Sequence, residues 1–240
     1  MATKFDPHFI APDQIDRNAL TSSFVAHIER TDFPCVGAKS ALARDLLHVE
    51  TGWSITSGWD DLRIHQGLLD WSKQYKREGD GLRSFAVVYS GPTDLNEAQF
   101  ERAMWQRIQS LADKDAWRGQ PYDKRVSADP SDPHFSLSFG DEAYFAVGLH
   151  PNASREARRT PLPTIVFNLH DQFAKLREEG RYERMRDAIL ERDENLTGSI
   201  NPMLARHGDS SEARQYSGRK VGDGWECPFA DPRKGKDAKN

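Results

Sequence analysis

The sequence predicts a single α+β (or α/β) domain in which a mixed β-sheet is covered by helices. Three short apolar runs, SFAVVY (84–89), AYFAVGL (143–149) and TIVFNL (164–169), have the length and residue content of buried strands. Segments with apolar residues at helical spacing lie before, between and after them. A sheet with helices packed on it is the layer arrangement that such an order of elements favours.

The N-terminal half carries clear helical patterns. Apolar spacing predicts a helix at 17–29, and a second helix is predicted at 36–48. After the strand at 84–89, Asp94 and Glu97 form a variant of the capping box, which predicts that a third helix begins there. That helix places four apolar side chains on one face: Phe100, Met104, Ile108 and Leu111.

Strands and helices alternate again in the C-terminal half. The run FSLSF (135–139) alternates apolar and polar residues, which is typical of a half-buried strand. Asp171 is positioned to cap a helix that Gly180 ends, and another amphipathic helix is predicted at 182–196. Periodicity fades after Leu196, but interspersed apolar side chains predict a long ordered loop region there.

Length and composition predict one domain over residues 1–230, followed by a disordered tail at 231–240. The net charge of −4 gives no argument for a nucleic acid or an anionic membrane as partner. No apolar run is long enough for a signal peptide or a membrane span, and two cysteines are too few for a disulfide scaffold. We therefore expect a cytoplasmic protein with reduced thiols, and a homodimer is left open.

A histidine stands at the end of the second apolar run. His150 precedes Pro151, and a residue before proline favours extended backbone, so the imidazole is held at a strand terminus. Ligand sites tend to lie at strand ends, and a neutral imidazole suits a metal ion. The alternative is a strand-end histidine that only forms hydrogen bonds.

Three arginines follow this histidine. A short helix capped by Asn152 or Ser154 would bring Arg155, Arg158 and Arg159 to one side. Three fixed cations suit a ligand with two or more carboxylates or phosphates. Haem would use all of these features, namely an axial donor, cations for its propionates and aromatic walls. The alternative is a solvated, arginine-rich turn.

Three further side chains are candidates for the same pocket. His170 closes the third apolar run and could face the pocket if the two strands are neighbours and run alike, or it could simply cap the sheet. Cys35 lies near a helix start, where it could act as a haem thiolate or a redox thiol, and a buried inert cysteine is the alternative. Lys39 could hold an anionic group or lie in water.

A group of functional side chains also occurs near the C-terminus. Glu212, Arg214 and Tyr216 could bind an amino acid, or they could form an ion pair that orders the C-terminal loops. The chain has no Rossmann glycine fingerprint, P-loop, HExxH helix or GxSxG elbow. Redox chemistry would therefore need electrons from a separate reductase.

Six stretches carry a resemblance to a known family: FPCVGAKSAL (33–42), GLHPNASREARR (148–159), PTIVFNLHDQFAKLR (163–177), RYERMRDAILERD (181–193), GSINPMLARHGDSSEARQYSGR (198–219) and WECPF (225–229). They resemble the YqcI/YcgG family, which includes the haem-dependent N-hydroxylases of D-cycloserine and guanitoxin biosynthesis. The matching stretches cover the C-terminal half nearly continuously.

The resemblance implies a haem b protein that activates O2 and hydroxylates a nitrogen of a guanidine or amine, such as arginine or an arginine-like compound. In that setting we expect His150 to be the proximal iron ligand, with His170 or Cys35 as substitutes, and the three arginines after it to hold the propionates. Glu212 and Tyr216 are the expected contacts for a guanidinium substrate. Two other functions stay open: a haem carrier or sensor without oxygenase activity, and a thiol redox protein that uses Cys35 with Cys227.

Overall fold

The computed structural model describes residues 11–78, 81–199 and 210–234, and it confirms the predicted α+β domain. Within those ranges the strands are β1 Leu47–Gly52, β2 Ser84–Tyr89, β3 Leu137–Phe139, β4 Glu142–Leu149 and β5 Thr164–Leu169. The helices are α1 Arg17–Glu29, α2 Val36–Ala43, α3 Asp61–Glu78, α4 Glu97–Trp117, α5 His170–Glu178, α6 Tyr182–Thr197 and α7 Ala213–Tyr216.

The five strands form one mixed sheet in the order β1-β2-β5-β4-β3. The β1–β2 pair is parallel, and the other three pairs are antiparallel. In the β4–β5 pair, Leu149 lies opposite Thr164 and Tyr144 lies opposite Leu169. The end of β4 is therefore beside the beginning of β5, and the segments that follow these two strands leave the sheet at opposite ends.

Alternation along the strands divides the core into two parts. Phe85 and Phe167 pack on one face of the sheet with α3 and α4. Ala86 and Val88 of β2 face the other way, where they pack with Phe24 and other residues of α1 and α2. Helices α5 and α6 pack against each other, and α6 also contacts α2 and the segment after β4.

Several predicted elements have the predicted bounds, and others need correction. The strands at 84–89 and 164–169 and the helix at 17–29 are confirmed. The predicted helix at 36–48 is wrong beyond Ala43, because β1 begins at Leu47.

Two predicted helix caps are also wrong. The capping box of α4 is formed by Asn96 and Gln99, whose side chains and backbone N–H groups bond reciprocally, instead of by Asp94 and Glu97. Asp171 is inside the first turn of α5 and does not cap it.

The C-terminal segment wraps around the domain. The guanidinium of Arg233 donates to Asp115 at 2.6 Å, and Asp231 is buried. The predicted disordered tail is therefore wrong for residues 231–234, and residues 235–240 lie outside the described ranges. No helix among the described residues has both the length and the apolar character needed to cross a membrane.

Candidate functional site

An apolar cavity of about 270 Å³ lies on the sheet face that α1 and α2 cover. Phe145, Val147 and Leu149 of β4 form part of its wall, because alternate residues of a strand share one face. Cys35 at the start of α2 also contributes to the lining, as does α6. Ligand pockets generally measure about 300–1,000 Å³, so this cavity approaches the lower end of that range.

A second cavity of about 170 Å³ adjoins the first, and we call it the histidine cavity because His170 lines it. The two cavities share four lining residues, Phe145, Phe173, Met185 and Ile189. We refer to the two together as the groove. It follows β4 from the Leu149 end to the Phe145 end, and α6 forms its outer wall.

A buried carboxylate fixes the imidazole in the histidine cavity. His170 Nε2 lies 3.4 Å from Oε1 of Glu212, which is 6% exposed. The other carboxylate oxygen accepts a hydrogen bond from Ser136 Oγ at 2.9 Å and another from the Tyr216 hydroxyl at 3.3 Å. Metal-ligating histidines usually donate one ring N–H to such a carboxylate, which orients the ring and raises its basicity.

The predicted arginine face forms only in part. Residues 156–158 make a single 3-10 turn that neither Asn152 nor Ser154 caps. Arg155 and Arg158 line the apolar cavity, whereas Arg159 does not.

Internal partners occupy all three guanidinium groups. Arg155 Nε donates to both carboxylate oxygens of Asp193 on α6, at 3.0 and 3.1 Å. Arg158 donates to the carbonyl oxygens of Gly148, Gln215 and Tyr216, and burial lowers its pKa to about 10. Arg159 is exposed and donates to backbone carbonyls of its own segment.

His150 lies away from the groove. Its ring stacks on Phe100 of α4 with 4.3 Å between centroids, and it lines neither cavity. The expectation that His150 and His170 share a pocket required β4 and β5 to run alike, but they are antiparallel. In this register the two histidines lie seven residue positions apart along the strand pair, which corresponds to about 23 Å. Burial lowers the pKa of His150 to about 4.

The two cysteines lie on opposite sides of the sheet. Cys35 packs with the α1–α2 side and Cys227 packs with the α3–α4 side. Burial raises the pKa of Cys35, and it raises the pKa of Cys227 to about 12. The thiol redox function therefore gains no support. Lys39 donates to backbone carbonyls at the end of α1 and does not line the groove.

Of the predicted C-terminal group of Glu212, Arg214 and Tyr216, only Glu212 reaches the groove. Glu212 lines the histidine cavity, while Tyr216 is fully buried behind it. Arg214 points elsewhere: it donates to the carbonyl of Gly222 at 2.8 Å and lies over the ring of Trp225.

Asp193 is a site residue that the sequence analysis missed. It follows Met185 and Ile189 at intervals of four, so the sequence already placed a carboxylate on the apolar face of α6. A carboxylate in such a position needs a cation, and Arg155 supplies it. Helical spacing alone could have identified the residue.

The groove fits a haem in the kinds of residue it presents. His170 supplies an imidazole backed by a carboxylate, Phe145 and Phe173 supply aromatic walls, and Arg177 and Arg186 supply cations at the histidine cavity. Neither cavity alone has the volume of a typical drug-sized ligand site, so a tetrapyrrole would have to occupy both. Among the described residues, no group of three or more His, Cys, Asp or Glu side chains could hold a metal ion.

Comparison with known proteins identifies a family. A family model described as the YqcI/YcgG family matches residues 24–230. No curated protein matches the chain, and no solved structure matches it either.

Proposed function

The chain belongs to the YqcI/YcgG family, and from that premise we propose that it is a haem-dependent monooxygenase. It would N-hydroxylate a guanidine or an amine, with O2 as co-substrate and electrons from a separate reductase. The observation that carries the proposal is the His170–Glu212 pair inside an aromatic-lined groove. We also propose that the protein is cytoplasmic and that its substrate is a small molecule.

His170 replaces His150 as the proposed iron ligand, because His170 lines the groove and His150 does not. Arg177 and Arg186 are the proposed propionate partners, since the guanidinium groups of Arg155 and Arg158 are engaged within the protein. Haem, when bound, supplies the activation of O2.

The chain's own residues would orient the ligand and exclude water. Glu212 holds the imidazole, while Phe145, Phe173 and Met185 surround the reacting region with apolar surface. Such an environment strengthens electrostatic contacts to a bound substrate and limits side reactions with water. Glu212 backs the proposed iron ligand and is engaged by His170, Ser136 and Tyr216, so we do not keep it as the contact for a guanidinium or ammonium group.

Reconstitution of the purified protein with haem tests the proposal. The wild-type protein and His150→Ala are expected to give a Soret band that shifts with dithionite and carbon monoxide. His170→Ala should lose the band, and added imidazole should restore it by filling the space that the side chain leaves. His150 is the matched control because both rings are largely buried.

The activity is tested separately from haem binding. With NADPH, a reductase and O2, the wild-type protein should convert a guanidine or amine to a hydroxylated product detected by mass spectrometry. Haem binding without any product would favour the carrier or sensor function. A wild-type protein that takes up no haem would overturn the proposal, and loss of the band in His150→Ala alone would overturn the assignment of His170.

A further inference from the structure

A third cavity, of about 230 Å³, lies outside the groove, between the ends of α2 and α3 and helix α5. We call it the basic cavity, because three basic side chains line it, Arg44, Lys175 and Arg181, against one acidic side chain, Glu179. Its other polar lining groups include the Ser40 hydroxyl. The proposed haem chemistry uses none of these residues.

Arg44 brings an uncompensated charge to this cavity. Among the described residues, no acidic side chain pairs with its guanidinium. The group lies against Gly81, where a Cβ atom would be 3.4 Å from Arg44 Nη1. Gly81 has a φ of +91°, so glycine is favoured there by the backbone as well as by the space.

The other two cations are held in defined positions. Lys175 Nζ lies 3.1 Å from Asp171 Oδ2 and 5.2 Å from the centroid of the Tyr75 ring. Arg181 Nη1 donates to Glu179 Oε2 at 2.8 Å. Arg181 has donors beyond the one that Glu179 uses, because a guanidinium has five N–H groups. Lys175 also donates to the Tyr75 hydroxyl at 3.4 Å, so what it brings to the cavity is a fixed positive charge.

The part of the basic cavity wall that Gln172 and Tyr75 form is preformed. The Gln172 side chain accepts a hydrogen bond from Arg83 N at 2.8 Å and donates to Arg83 O at 3.0 Å, so it is fixed from both ends. Tyr75 is 4% exposed and donates to Asp171 at 2.9 Å. This part of the wall therefore requires little reorganisation when a ligand enters.

We infer that the basic cavity binds a small molecule through a dianionic group, either a phosphate or a pair of carboxylates. Such a group can accept hydrogen bonds from the guanidinium groups of Arg44, after α2, and Arg181, before α6, and it is also attracted by the charge of Lys175. The cavity shares Leu82 and Gln172 with the apolar cavity, so its ligand would lie beside the groove. The inference does not depend on haem.

Calorimetric titration of the purified protein with inorganic phosphate and with succinate tests this inference. At least one probe should bind with a dissociation constant in the millimolar range or lower. The probe that binds more tightly shows whether the cavity recognises a phosphate or a dicarboxylate. Arg44→Gln and Arg181→Gln should each weaken binding about fivefold, because each removes one exposed charge contact. Amide NMR signals of Ser40, Leu82 and Lys175 should shift on titration.

Arg102→Gln is the matched control, because Arg102 is an exposed arginine of α4, a helix that contributes no residue to the lining of the basic cavity. It should bind the preferred probe as the wild-type protein does. All three arginines replaced are exposed, so the variants should fold, which their thermal unfolding midpoints will check. Three results would each overturn the inference: no binding of either probe, unchanged affinity in both cavity variants, or equal weakening in Arg102→Gln.

Discussion

His170 Nε2 and Glu212 Oε1 lie 3.4 Å apart at the point where β5 passes into α5. Ser136 bonds the same carboxylate at 2.9 Å, so Glu212 is held between the edge of the sheet and the imidazole. Three distant parts of the chain meet in this contact. The protein itself therefore fixes the orientation of the His170 ring in the groove.

Replacing Glu212 by Gln should weaken haem binding about tenfold, because loss of a partner that orients a metal ligand typically costs that much. Gln keeps the shape and can still accept from Ser136, but it removes the negative charge beside the imidazole. Titration of the haem-free protein, followed at the Soret band, measures the change.

Glu101→Gln is the control for this prediction. Glu101 is also a buried glutamate, and it accepts a hydrogen bond from Arg219 Nε at 2.8 Å in a cluster away from the groove. Its replacement should lower the free energy of unfolding while haem affinity stays at the wild-type value. Wild-type affinity in Glu212→Gln would show that the carboxylate does not orient the iron ligand.

Arg158→Met should lower the free energy of unfolding by about 3 kcal/mol, since three backbone carbonyls lose a charged donor. These carbonyls belong to Gly148 at the end of β4 and to Gln215 and Tyr216 in α7. The short strand β3 pairs with residues 142–144 of β4 and does not reach the end of β4 near Gly148. The hydrogen bonds of Arg158 link α7 to that end of β4 and so help to cover this edge of the sheet. Urea unfolding measures the loss.

The neighbouring variant Arg159→Met tests whether the position of Arg158 matters. Arg159 is exposed and bonds only carbonyls of its own turn, so its replacement should cost less than about 1 kcal/mol. Similar losses in the two variants would contradict the bridging role of Arg158.

The strands were predictable where burial is complete. Every residue of β2 is buried, and such a strand reads as a continuous apolar run. β1 was missed because it is an edge strand that carries His48 and Glu50 and is only partly buried. Helix α3 was not predicted, although its sequence has a helical pattern. Four of its buried residues are spaced by four, three and four positions: Ile64, Leu68, Trp71 and Tyr75.

The site was less predictable because it depends on pairing between distant segments. A histidine follows each of β4 and β5, but local sequence does not say whether two neighbouring strands pair in parallel or antiparallel. The antiparallel pairing places His150 and His170 at opposite ends of the sheet. Similarly, spacing could not show that Arg155 pairs with Asp193, which lies 38 residues further along the chain.

Both cysteines should react slowly with iodoacetamide in the folded protein at pH 8. Burial raises the pKa of each thiol, so the reactive thiolate is scarce. Mass spectrometry should find modification at Cys35 and Cys227 mainly after unfolding in urea. Rapid alkylation of either thiol in the folded state would contradict this account and would reopen a redox role.

The last prediction concerns His150 and the stability of the protein in acid. Its folded-state pKa is about 4, below the ordinary value of 6.5, because burial against Phe100 disfavours the charged ring more than nearby Glu97 favours it. The unfolded chain therefore binds more protons between these two values, and stability should fall as the pH drops from 6.5 to 4. The full effect amounts to about 3 kcal/mol.

His150→Leu should flatten that pH dependence, because an apolar side chain takes up no proton in either state. The comparison to make is the difference between wild-type and variant unfolding free energies in urea, measured at steps from pH 7 to pH 4. That difference cancels the contribution of the other titrating groups. His150 Nδ1 is buried without a hydrogen-bond partner, so replacing the imidazole breaks no hydrogen bond of this nitrogen. A constant difference across the pH range would mean that the imidazole is protonated equally in the folded and unfolded states, contrary to the buried position described above.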